Sequence, residues 1–514
     1  MTEKEYVVVV NAGVDLEAFD AELAASTGEG PIPNRAVDIA NPRIGSKRMT
    51  HWMLTDAEAN TLMSDPRVLS VEIPADQRTD ISIGLRAFQG DDFTKPSGLD
   101  PSVVNWGLRR CIESTNNYSN NSSATGQYEY ALDGTGVDIV IQDSGLQVDH
   151  PEFAGRVQQI DWYAESGLPG TQNANHYRDL DGHGTHCAGI AAGKTYGWAK
   201  NAHVYSQKLA GLEGSGDSGT GISITDAFDT IRLWHAAKTN GRPTVVNMSW
   251  GYSSTVSGNP TGGTYRGVPW VWNVDYNNDT FLWQGTGIVP AVFGPARVYP
   301  ARVASVDAEI DDMVAAGIHV FIAAGNDLYK GDDVGGLDYD NSVVYGGTTL
   351  YYHRGSSPHS DNAMCIGNID SAVQLDGGIY KDKTANTTSR GPRVDIFAPG
   401  TNIISTLSNS SIYSTGDYPD NTSFNVGNLS GTSMASPQVA GVCALHLQVN
   451  PQMTPAQFKS RIQNDSYNVM FETGLDNDYS VYQSSLMGAP NRVLYSRYGT
   501  QPLVQKNIVT NVGT

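Results

Sequence analysis

Four side chains in this sequence have the types and the order that hydrolysis of an amide by a serine requires. Such a reaction needs a hydroxyl nucleophile, a base that takes its proton, an acid that orients the base, and donors for the developing oxyanion. Ser433, His183, Asp143 and Asn326 are the candidates for these four tasks, in that order. Together they predict a site for acyl transfer.

Two of the candidates follow predicted strands. Asp143 comes directly after the apolar run Val-Asp-Ile-Val-Ile-Gln, and Asn326 ends the segment Ile-Ala-Ala-Gly-Asn. The carboxyl ends of parallel strands are where α/β sheets keep their sites. Taken alone, an Asp at the end of a strand is more often a turn or cap residue, and an Asn there can equally serve a turn.

The candidate base lies in a segment with two histidines, Asp-Gly-His-Gly-Thr-His-Cys-Ala-Gly. The glycines beside His183 permit close approach of other backbone. His183 and His186 could instead bind a metal as an i, i+3 pair, but no carboxylate or third histidine stands at ligand spacing in this segment. We interpret His186 as a buried structural histidine beside the base.

The candidate nucleophile precedes a nearly all-apolar helical pattern. Ser433 lies in Asn-Leu-Ser-Gly-Thr-Ser-Met-Ala-Ser-Pro, residues 428–437. Because Pro437 fits only near the first turn of a helix, Ser433 is expected at the helix N-terminus. The helix dipole and the unpaired backbone N–H groups there favour an oxyanion. On its own, this segment would support only an N-cap serine.

The elements that must position these residues read as an α/β fold. Short apolar strands are predicted at 137–141, 204–209, 244–248 and 318–324, separated by amphipathic helices. This alternation is typical of a parallel sheet with helices on both faces. Residues 1–80 read separately as a β-α-β-β-α-β unit of the ferredoxin-like α+β type.

Composition excludes several classes of protein. The chain has 514 residues and a net charge of −21, which argues against a nucleic-acid surface. No apolar run is long enough to span a membrane, and the start does not read as a secretory signal. We therefore expect the chain to mature inside a cell, or inside a virus particle or other assembly. Its four cysteines are too few and too scattered for a disulfide framework or a metal knuckle.

The motifs Asp-Ser-Gly, His-Gly-Thr-His and Gly-Thr-Ser-Met-Ala-Ser-Pro, in that order, resemble those of the subtilase family. The resemblance covers roughly residues 104–470. His-Cys-Ala-Gly and the stretch 363–370 look more like the proteinase K branch of that family. The fold implied is a subtilisin-like parallel sheet with helices on both faces.

The resemblance implies a role for each motif residue. Asp143 would orient His183, His183 would take the proton of Ser433, and Asn326 with the Ser433 backbone N–H would hold the oxyanion. The segment Val-Val-Asn-Met-Ser-Trp-Gly resembles the family's substrate-binding strand. It contributes the three predicted substrate-binding residues, Ser249, Trp250 and Gly251. Trp250 stands where many relatives carry a smaller apolar residue, so we expect it to reshape a subsite.

The family needs no cofactor for its chemistry but often binds structural calcium. Asp370 matches a calcium-ligand position of the proteinase K branch, so a calcium ion is expected there. The insertions at 252–301 and 408–427 are longer than compact members carry. They are expected to be surface loops that serve either specificity or packing and assembly.

The resemblance also implies a domain plan. Residues 1–80 would be an inhibitory, chaperone-like propeptide, 81–103 a linker with the maturation site, 104–488 the catalytic domain, and 489–514 a tail that docks to a larger assembly. The expected function is a serine endopeptidase made as an autoprocessed zymogen. Its partners would be protein or peptide substrates and its own propeptide, without nucleic acid or membrane. The alternative is a structural or binding component with the same fold, for example of a virus particle.

Overall fold

The computed structural model describes residues 2–25, 31–32, 35–85, 105–113, 130, 132–209, 222–290, 296–472 and 486–498. Within these ranges, no helix is both long and apolar enough to cross a membrane.

The N-terminal unit is the predicted β-α-β-β-α-β arrangement. Its elements are β1 (Lys4–Val10), α1 (Leu16–Ala24), β2 (Ile39–Asn41), β3 (Met49–Leu54), α2 (Asp56–Leu62) and β4 (Val68–Glu72). The four strands form an antiparallel sheet in the order β2-β3-β1-β4. Thr55 and Glu58 form a capping box ahead of α2. One face of the sheet packs on the two helices around Val8, Trp52 and Leu54.

A strand then follows where the sequence predicted a linker. The elements up to the end of the first half of the chain are β5 (Ser82–Leu85), α3 (Trp106–Arg110), β6 (Asp138–Asp143), β7 (Val157–Gln158), α4 (Trp162–Ser166), α5 (His183–Ala192), β8 (His203–Lys208), α6 (Ile224–Ala237), β9 (Thr244–Met248) and β10 (Trp250–Ser257). Four of the predicted helices and strands, namely β6, β8, β9 and α6, lie where the apolar periodicity placed them.

The second half continues the alternation and adds several hairpins. Its elements are β11 (Gly262–Tyr265), β12 (Val268–Val271), α7 (Asp279–Thr286), β13 (Ala296–Pro300), α8 (Ala304–Ala315), β14 (His319–Ala323), β15 (Ser342–Tyr345), β16 (Thr348–Tyr351), β17 (Met364–Asp376), β18 (Ile379–Thr384), β19 (Ile396–Pro399), β20 (Ile403–Leu407), β21 (Gly416–Asp417), β22 (Asn425–Leu429), α9 (Thr432–Val449) and α10 (Pro455–Asp465).

The main sheet has the strand order β18-β17-β14-β9-β6-β8-β7, with β19 paired to β17. All its pairs are parallel except β17 with β18. The central strands β6, β9 and β14 are buried along their whole length, because α5 and α9 cover one face and α6 and α8 the other. This arrangement matches the α/β fold expected from the sequence.

The described residues of the insertion at 252–301 form strands and a helix of their own. β11 and β12 join β15 and β16 in a four-stranded antiparallel sheet, while β13 pairs with β10. A cluster rich in tyrosine fills the space beneath, including Tyr299, Tyr329 and Tyr352. The region therefore forms a packed subdomain rather than a set of surface loops.

Two predicted boundaries are wrong. Residues 82–85, placed in the linker, form β5, which pairs with the distant strand β10. The tail predicted from residue 489 begins within the catalytic core, where Val493 and Leu494 are fully buried. Apolar residues are too few in either segment for periodicity to reveal these long-range contacts. The part of the tail after residue 498 lies outside the described residues.

Candidate active site

Three elements of the α/β domain converge on one point. Asp143 is the last residue of β6, His183 the first of α5, and Ser433 the second of α9. α9 begins at Thr432, five residues before Pro437, which confirms that Ser433 lies at a helix N-terminus. The sheet and the two helices therefore bring together the three residues that the sequence singled out.

The pairing of Asp143 with His183 is direct. The Asp143 Oδ1 and His183 Nδ1 atoms are 2.7 Å apart, and both side chains are fully buried. Burial alone would lower the pKa of His183, but the adjacent Asp143 carboxylate, together with Cys187, outweighs burial and holds that pKa well above 6.5. The carboxylate thus fixes the orientation of the ring and stabilises the imidazolium that forms when His183 accepts a proton.

The Ser433 hydroxyl is turned toward the main chain. Its Oγ donates to the Ser249 carbonyl oxygen at 3.0 Å. The His183 Nε2 atom is buried and makes no hydrogen bond within the described residues. A rotation of the Ser433 side chain is the movement that would let the hydroxyl donate to His183, and such contacts often tighten only when substrate is bound.

Asn326 lies beside the nucleophile. Its Oδ1 accepts hydrogen bonds from the Thr432 N–H at 3.0 Å and from the Thr432 hydroxyl at 3.1 Å. Because Thr432 binds the oxygen, the amide nitrogen with its two donors is turned to the opposite side. The Thr432 hydroxyl also accepts from the Gly325 N–H, which ties this turn to the start of α9.

The turn that precedes His183 is held by Asp179, a residue that sequence reasoning missed. The Asp179 carboxylate accepts hydrogen bonds from the Ser144 hydroxyl, the Gly182 N–H and the Thr185 N–H. Asp179 thereby connects the end of β6 to the first turn of α5. The only local sign was the spacing Asp-Leu-Asp-Gly-His, which gives no indication of these partners.

The insertion at 408–427 reaches the same turn. The Ile412 N–H donates to the Asp181 carbonyl oxygen at 2.9 Å, and the Tyr413 side chain is hydrogen-bonded to the Asp181 side chain. Gly182, at φ +102°, leaves no room for a side chain, because a Cβ there would come within 2.4 Å of the Ser411 Oγ. Part of this insertion is therefore a wall of the site, although another part remains a surface loop.

Asp181 completes a group of carboxylates around the histidine. Its Oδ1 accepts the His183 main-chain N–H at 3.3 Å. Burial raises the pKa of Asp181, as do the neighbouring Asp179 and Asp143, whereas His183 lowers it. The imidazole therefore lies in a field that favours its protonated form.

The other histidine and the nearby cysteine have structural surroundings. His186 Nε2 is 3.0 Å from the Gly427 carbonyl oxygen, and burial lowers the pKa of His186 to about 3. Cys187 Sγ lies 3.4 Å from the Ser433 carbonyl oxygen, and burial raises the pKa of this thiol. Of the described His, Cys, Asp and Glu side chains, only Asp143, His183 and Cys187 group closely enough to hold a metal. His186 stands outside that group, and its buried ring beside the Gly427 carbonyl agrees with the structural role expected for it.

The predicted substrate-binding strand is occupied by the N-terminal region. β5 runs antiparallel to the start of β10, with Leu85 opposite Trp250 and Gly84 opposite Gly251. Ser249 lies next to Trp250 and accepts the hydroxyl of the candidate nucleophile. β5 thus occupies the edge of β10 that leads to Ser433.

The Trp250 side chain does not line a subsite. It is fully buried in the core, where its Nε1 donates to Gln142 at 3.2 Å and its ring contacts Phe228 and Tyr252. The expectation that Trp250 reshapes a subsite is therefore wrong, since alternation along β10 turns this side chain inward. Only its main chain faces β5.

The residues around Asp370 do not fit a calcium ion. The Lys383 ammonium lies 3.4 Å from the Asp370 carboxylate, which also accepts the Ala372 N–H at 2.9 Å. An internal cation thus neutralises the carboxylate that was expected to bind the metal.

A second internal ammonium lies at the start of β17. Lys459 Nζ contacts the carbonyl oxygens of Asp361 at 2.8 Å and Ala363 at 2.9 Å, and the Asp395 carboxylate at 2.8 Å. Two main-chain carbonyls and a carboxylate are the oxygen ligands that a hard cation prefers. Lys459 of α10 supplies the positive charge at this point.

Comparison with protein-family models gives one match, to the description "Subtilase family", over residues 134–481. This range contains Asp143, His183, Asn326 and Ser433, and it excludes the N-terminal unit. The match covers more than half of the chain.

Curated relatives are named as proteases. The chain is 28% identical to the subtilisin-like serine protease Cur l 4.0101 of Cochliobolus lunatus over 71% of this chain and 56% of the relative. It is 26% identical to alkaline serine exoprotease A of Vibrio alginolyticus over 86% of this chain and 57% of the relative. The chain therefore spans little more than half the length of these two relatives. The solved structure of a cold adapted subtilisin-like serine proteinase overlaps 76% of this chain and 97% of its own, with 23% identity and a TM-score of 0.46.

Proposed function

This chain belongs to the subtilase family, and on that premise we propose that it is a serine endopeptidase that first cuts its own N-terminal unit away. The observation that carries the proposal is the convergence of three residues. A buried Asp143–His183 pair, 2.7 Å apart, lies beside Ser433 at the N-terminus of α9. Protein and peptide substrates, and the roles that follow, are part of the proposal.

The chemistry assigns one task to each residue. His183 Nε2 takes the proton of the Ser433 hydroxyl as its oxygen attacks the scissile carbonyl carbon, and Asp143 stabilises the imidazolium that forms. His183 then gives that proton to the leaving amine, which leaves the acyl group on the Ser433 oxygen. A water molecule, with His183 again as base, releases the acid and restores the hydroxyl.

Two groups support the oxyanion. The Asn326 amide nitrogen, turned away from Thr432, and the Ser433 main-chain N–H at the start of α9 can both donate to the oxygen of the tetrahedral intermediate. The first-turn N–H groups of a helix have no partner within the helix, so this position suits an anion.

A substrate would bind as an added strand. β5 shows the geometry, because it pairs with β10 through the main chain, with Gly84 opposite Gly251. Strand addition gives affinity through backbone hydrogen bonds and tolerates different side chains. A range of unfolded segments is therefore the expected class of substrate.

β5 also indicates where the chain cuts itself. The residue that precedes β10, one position beyond the pair of Leu85 and Trp250, is Ser249, whose carbonyl oxygen accepts the Ser433 hydroxyl. The bond presented to the nucleophile would lie shortly after Leu85. The expected cut therefore falls in the segment 86–104, which lies outside the described residues.

The test compares the parent protein with Ser433→Ala. We expect mass spectrometry to find a new N-terminus shortly after residue 85 in the parent and an intact chain in the variant. Only the parent should hydrolyse an unfolded protein and react with a fluorophosphonate probe. Ser436→Ala, a serine on the same helix that donates to Asn247, is the matched control and should still be processed. Processing or hydrolysis by purified Ser433→Ala would overturn the proposal.

A further inference from the structure

The N-terminal unit is seated on two helices of the α/β domain. Val7, Val9 and Met49 of its sheet pack against Ala308 of α8. The Glu72 carboxylate accepts the Ser305 N–H at 2.7 Å in the first turn of the same helix. These contacts add to the main-chain pairing of β5 with β10.

Arg43 enters a cleft between α6 and α8. It lies in the loop between β2 and β3 at φ +43°, and its side chain is 1% exposed. Its Nη2 donates to Asp229 Oδ2 at 2.9 Å and to the Thr225 carbonyl oxygen, and it lies 3.5 Å from Glu309 Oε1. We call this site, formed by Thr225, Asp229 and Glu309, the Arg43 cleft.

The two carboxylates of the Arg43 cleft have unequal surroundings. Asp229 is bridged between two arginines, because Arg232 Nη2 also donates to its Oδ1 at 2.6 Å. Glu309 is buried, and neither of its carboxylate oxygens makes a hydrogen bond within the described residues. The charge of Asp229 is thus balanced by two arginines. Glu309 is covered by the N-terminal unit, and no hydrogen-bond donor of the described residues reaches its carboxylate.

Other charged groups face the cleft from each element around it. α6 contributes Asp226 and Arg232, α8 contributes Asp312, and the N-terminal unit contributes Arg43, Lys47, Arg48 and His51. Asp312 lies near Lys47 and Arg48, and His51 is bonded to Glu5. Glu309 itself is buried and has no hydrogen-bond donor within the described residues, whereas Glu72 of the N-terminal unit accepts the Ser305 N–H.

We propose that the Arg43 cleft is a proton-linked binding surface for the N-terminal unit, anchored by Arg43, in which Glu309 takes up a proton as the unit is seated. The proposal rests on the proposed function only where it treats that unit as an inhibitor to be released. The contact itself is independent of catalysis.

The sign of the linkage follows from burial. In the seated state, burial raises the pKa of Glu309 well above 4.5, Asp229 raises it further, and the two arginines oppose the shift. When the unit departs, water reaches Glu309 and this pKa falls toward its ordinary value, so a proton is released. The seating is therefore strongest below the pKa of the open state, and it weakens as pH rises toward the pKa of the seated state. The seating constant changes by up to about tenfold per pH unit in that window.

This linkage would time the release of the cut N-terminal unit. An acidic medium would retain it over the helices and over β10, and a rise in pH would loosen it. The same surface would accept the unit again as pH falls, because the cleft and its charges stay on the α/β domain.

The test uses the full chain carrying Ser433→Ala, in which the N-terminal unit stays attached. The reporter is hydrogen exchange of the Ser305 amide, which the seated Glu72 protects, measured between pH 5 and 9 and corrected for the intrinsic exchange rate. We expect its protection to fall by up to about tenfold per pH unit across the titration of Glu309. Adding Glu309→Gln, which fixes a neutral side chain, should keep protection high and remove the part of the pH dependence that belongs to Glu309. The dependence that remains belongs to Glu72, whose pKa burial also raises.

Variants of the arginines test the anchor. Arg43→Met should lower protection more than tenfold at every pH, while Arg43→Lys should restore part of it. Arg67→Met is the matched control, since Arg67 forms its ion pairs with Glu22 at 2.9 Å and Asp65 at 2.8 Å inside the N-terminal unit, and it should change protection less than threefold. Amides of β6 and of β1 report whether each part remains folded.

Three results would overturn the proposal. They are a parent whose protection does not vary with pH, a Glu309→Gln chain as pH-dependent as its parent, and an Arg43→Met chain as protected as Arg67→Met. Because every chain carries Ser433→Ala, none of these results bears on whether the wild type hydrolyses peptide bonds. The two proposals can therefore fail separately.

Discussion

The catalytic centre and the Arg43 cleft both bury charged side chains, but they hold them differently. Asp143 and His183 come from one domain and are fixed by β6 and α5, so their pairing persists whatever binds nearby. Arg43 and Glu309 come from two units that the proposed cut would separate. The buried pair at the catalytic centre suits proton transfer, because both of its residues stay in place. The buried pair in the Arg43 cleft suits release of the N-terminal unit, because Arg43 can leave with that unit.

The largest expected effect is at the centre. Asp143→Asn removes the charge that orients and stabilises His183, and we expect self-processing to slow by about 10⁴-fold. The rate of appearance of the N-terminal fragment measures this. Hydrogen exchange of Ser305 in the same protein should match that of Ser433→Ala, since the Arg43 cleft is untouched. A processing rate within tenfold of the parent would contradict the assigned role.

A smaller loss is expected where the oxyanion is held. Asn326→Leu removes one hydrogen-bond donor while keeping a side chain of similar size. It should lower kcat by about 10²–10³-fold with little change in KM. The measurement is steady-state hydrolysis of a short peptide by the processed enzyme. An equal loss of binding, seen as a raised KM with kcat unchanged, would show that Asn326 supports the substrate and not the transition state.

The titration of His183 at the catalytic centre and of Glu309 in the Arg43 cleft gives a third test. His183 must be neutral to act as a base, so kcat/KM of the processed enzyme should rise about tenfold per pH unit and level off above a midpoint higher than 6.5, because Asp143 holds the pKa of His183 up. Glu309→Gln should leave this midpoint unchanged, since it alters only the other region. A midpoint at or below 6.5 would show that the Asp143 carboxylate does not control the base.

The smallest effect is expected at the rim of the centre. Tyr413→Phe removes the hydroxyl that is bonded to Asp181 and should lower kcat about fivefold, which corresponds to roughly 1 kcal/mol. It should also move the midpoint of the pH profile, which loss of packing alone would not do. Tyr418→Phe is the matched control in the same insertion, because the Tyr418 hydroxyl is bonded to Glu152. Identical profiles for the two variants would refute a positioning role for Tyr413.

The same contrast separates what the sequence predicts from what it does not. Asp143, His183 and Ser433 could be found because their three motifs, in this order, resemble those of the subtilase family, whereas each segment alone would fit a turn or a helix cap. The structure places the three residues at the ends of β6, α5 and α9, which the fold brings together. Apolar periodicity likewise placed the core of the parallel sheet. Local pattern was sufficient wherever burial alone determines the element.

Contacts between distant segments escaped prediction. Nothing near Ser82–Leu85 shows that it pairs with β10, and nothing near Arg43 shows that it enters a cleft between two helices. Tyr413 and Asp179 hold the turn that precedes His183 through side-chain hydrogen bonds, and no local sequence pattern identifies their partners. Polar partners of this kind depend on the assembled fold, because a single polar residue fits many local environments equally well.

Lys459 has a consequence for how this fold meets its surroundings. A bound metal stabilises a protein only to the extent that its free concentration exceeds the dissociation constant. An ammonium attached to α10 has a fixed local concentration, so it can be neither diluted nor chelated. The contacts of Lys459 with Asp361, Ala363 and Asp395 should therefore stabilise this part of the fold equally with and without divalent metal ions in the medium.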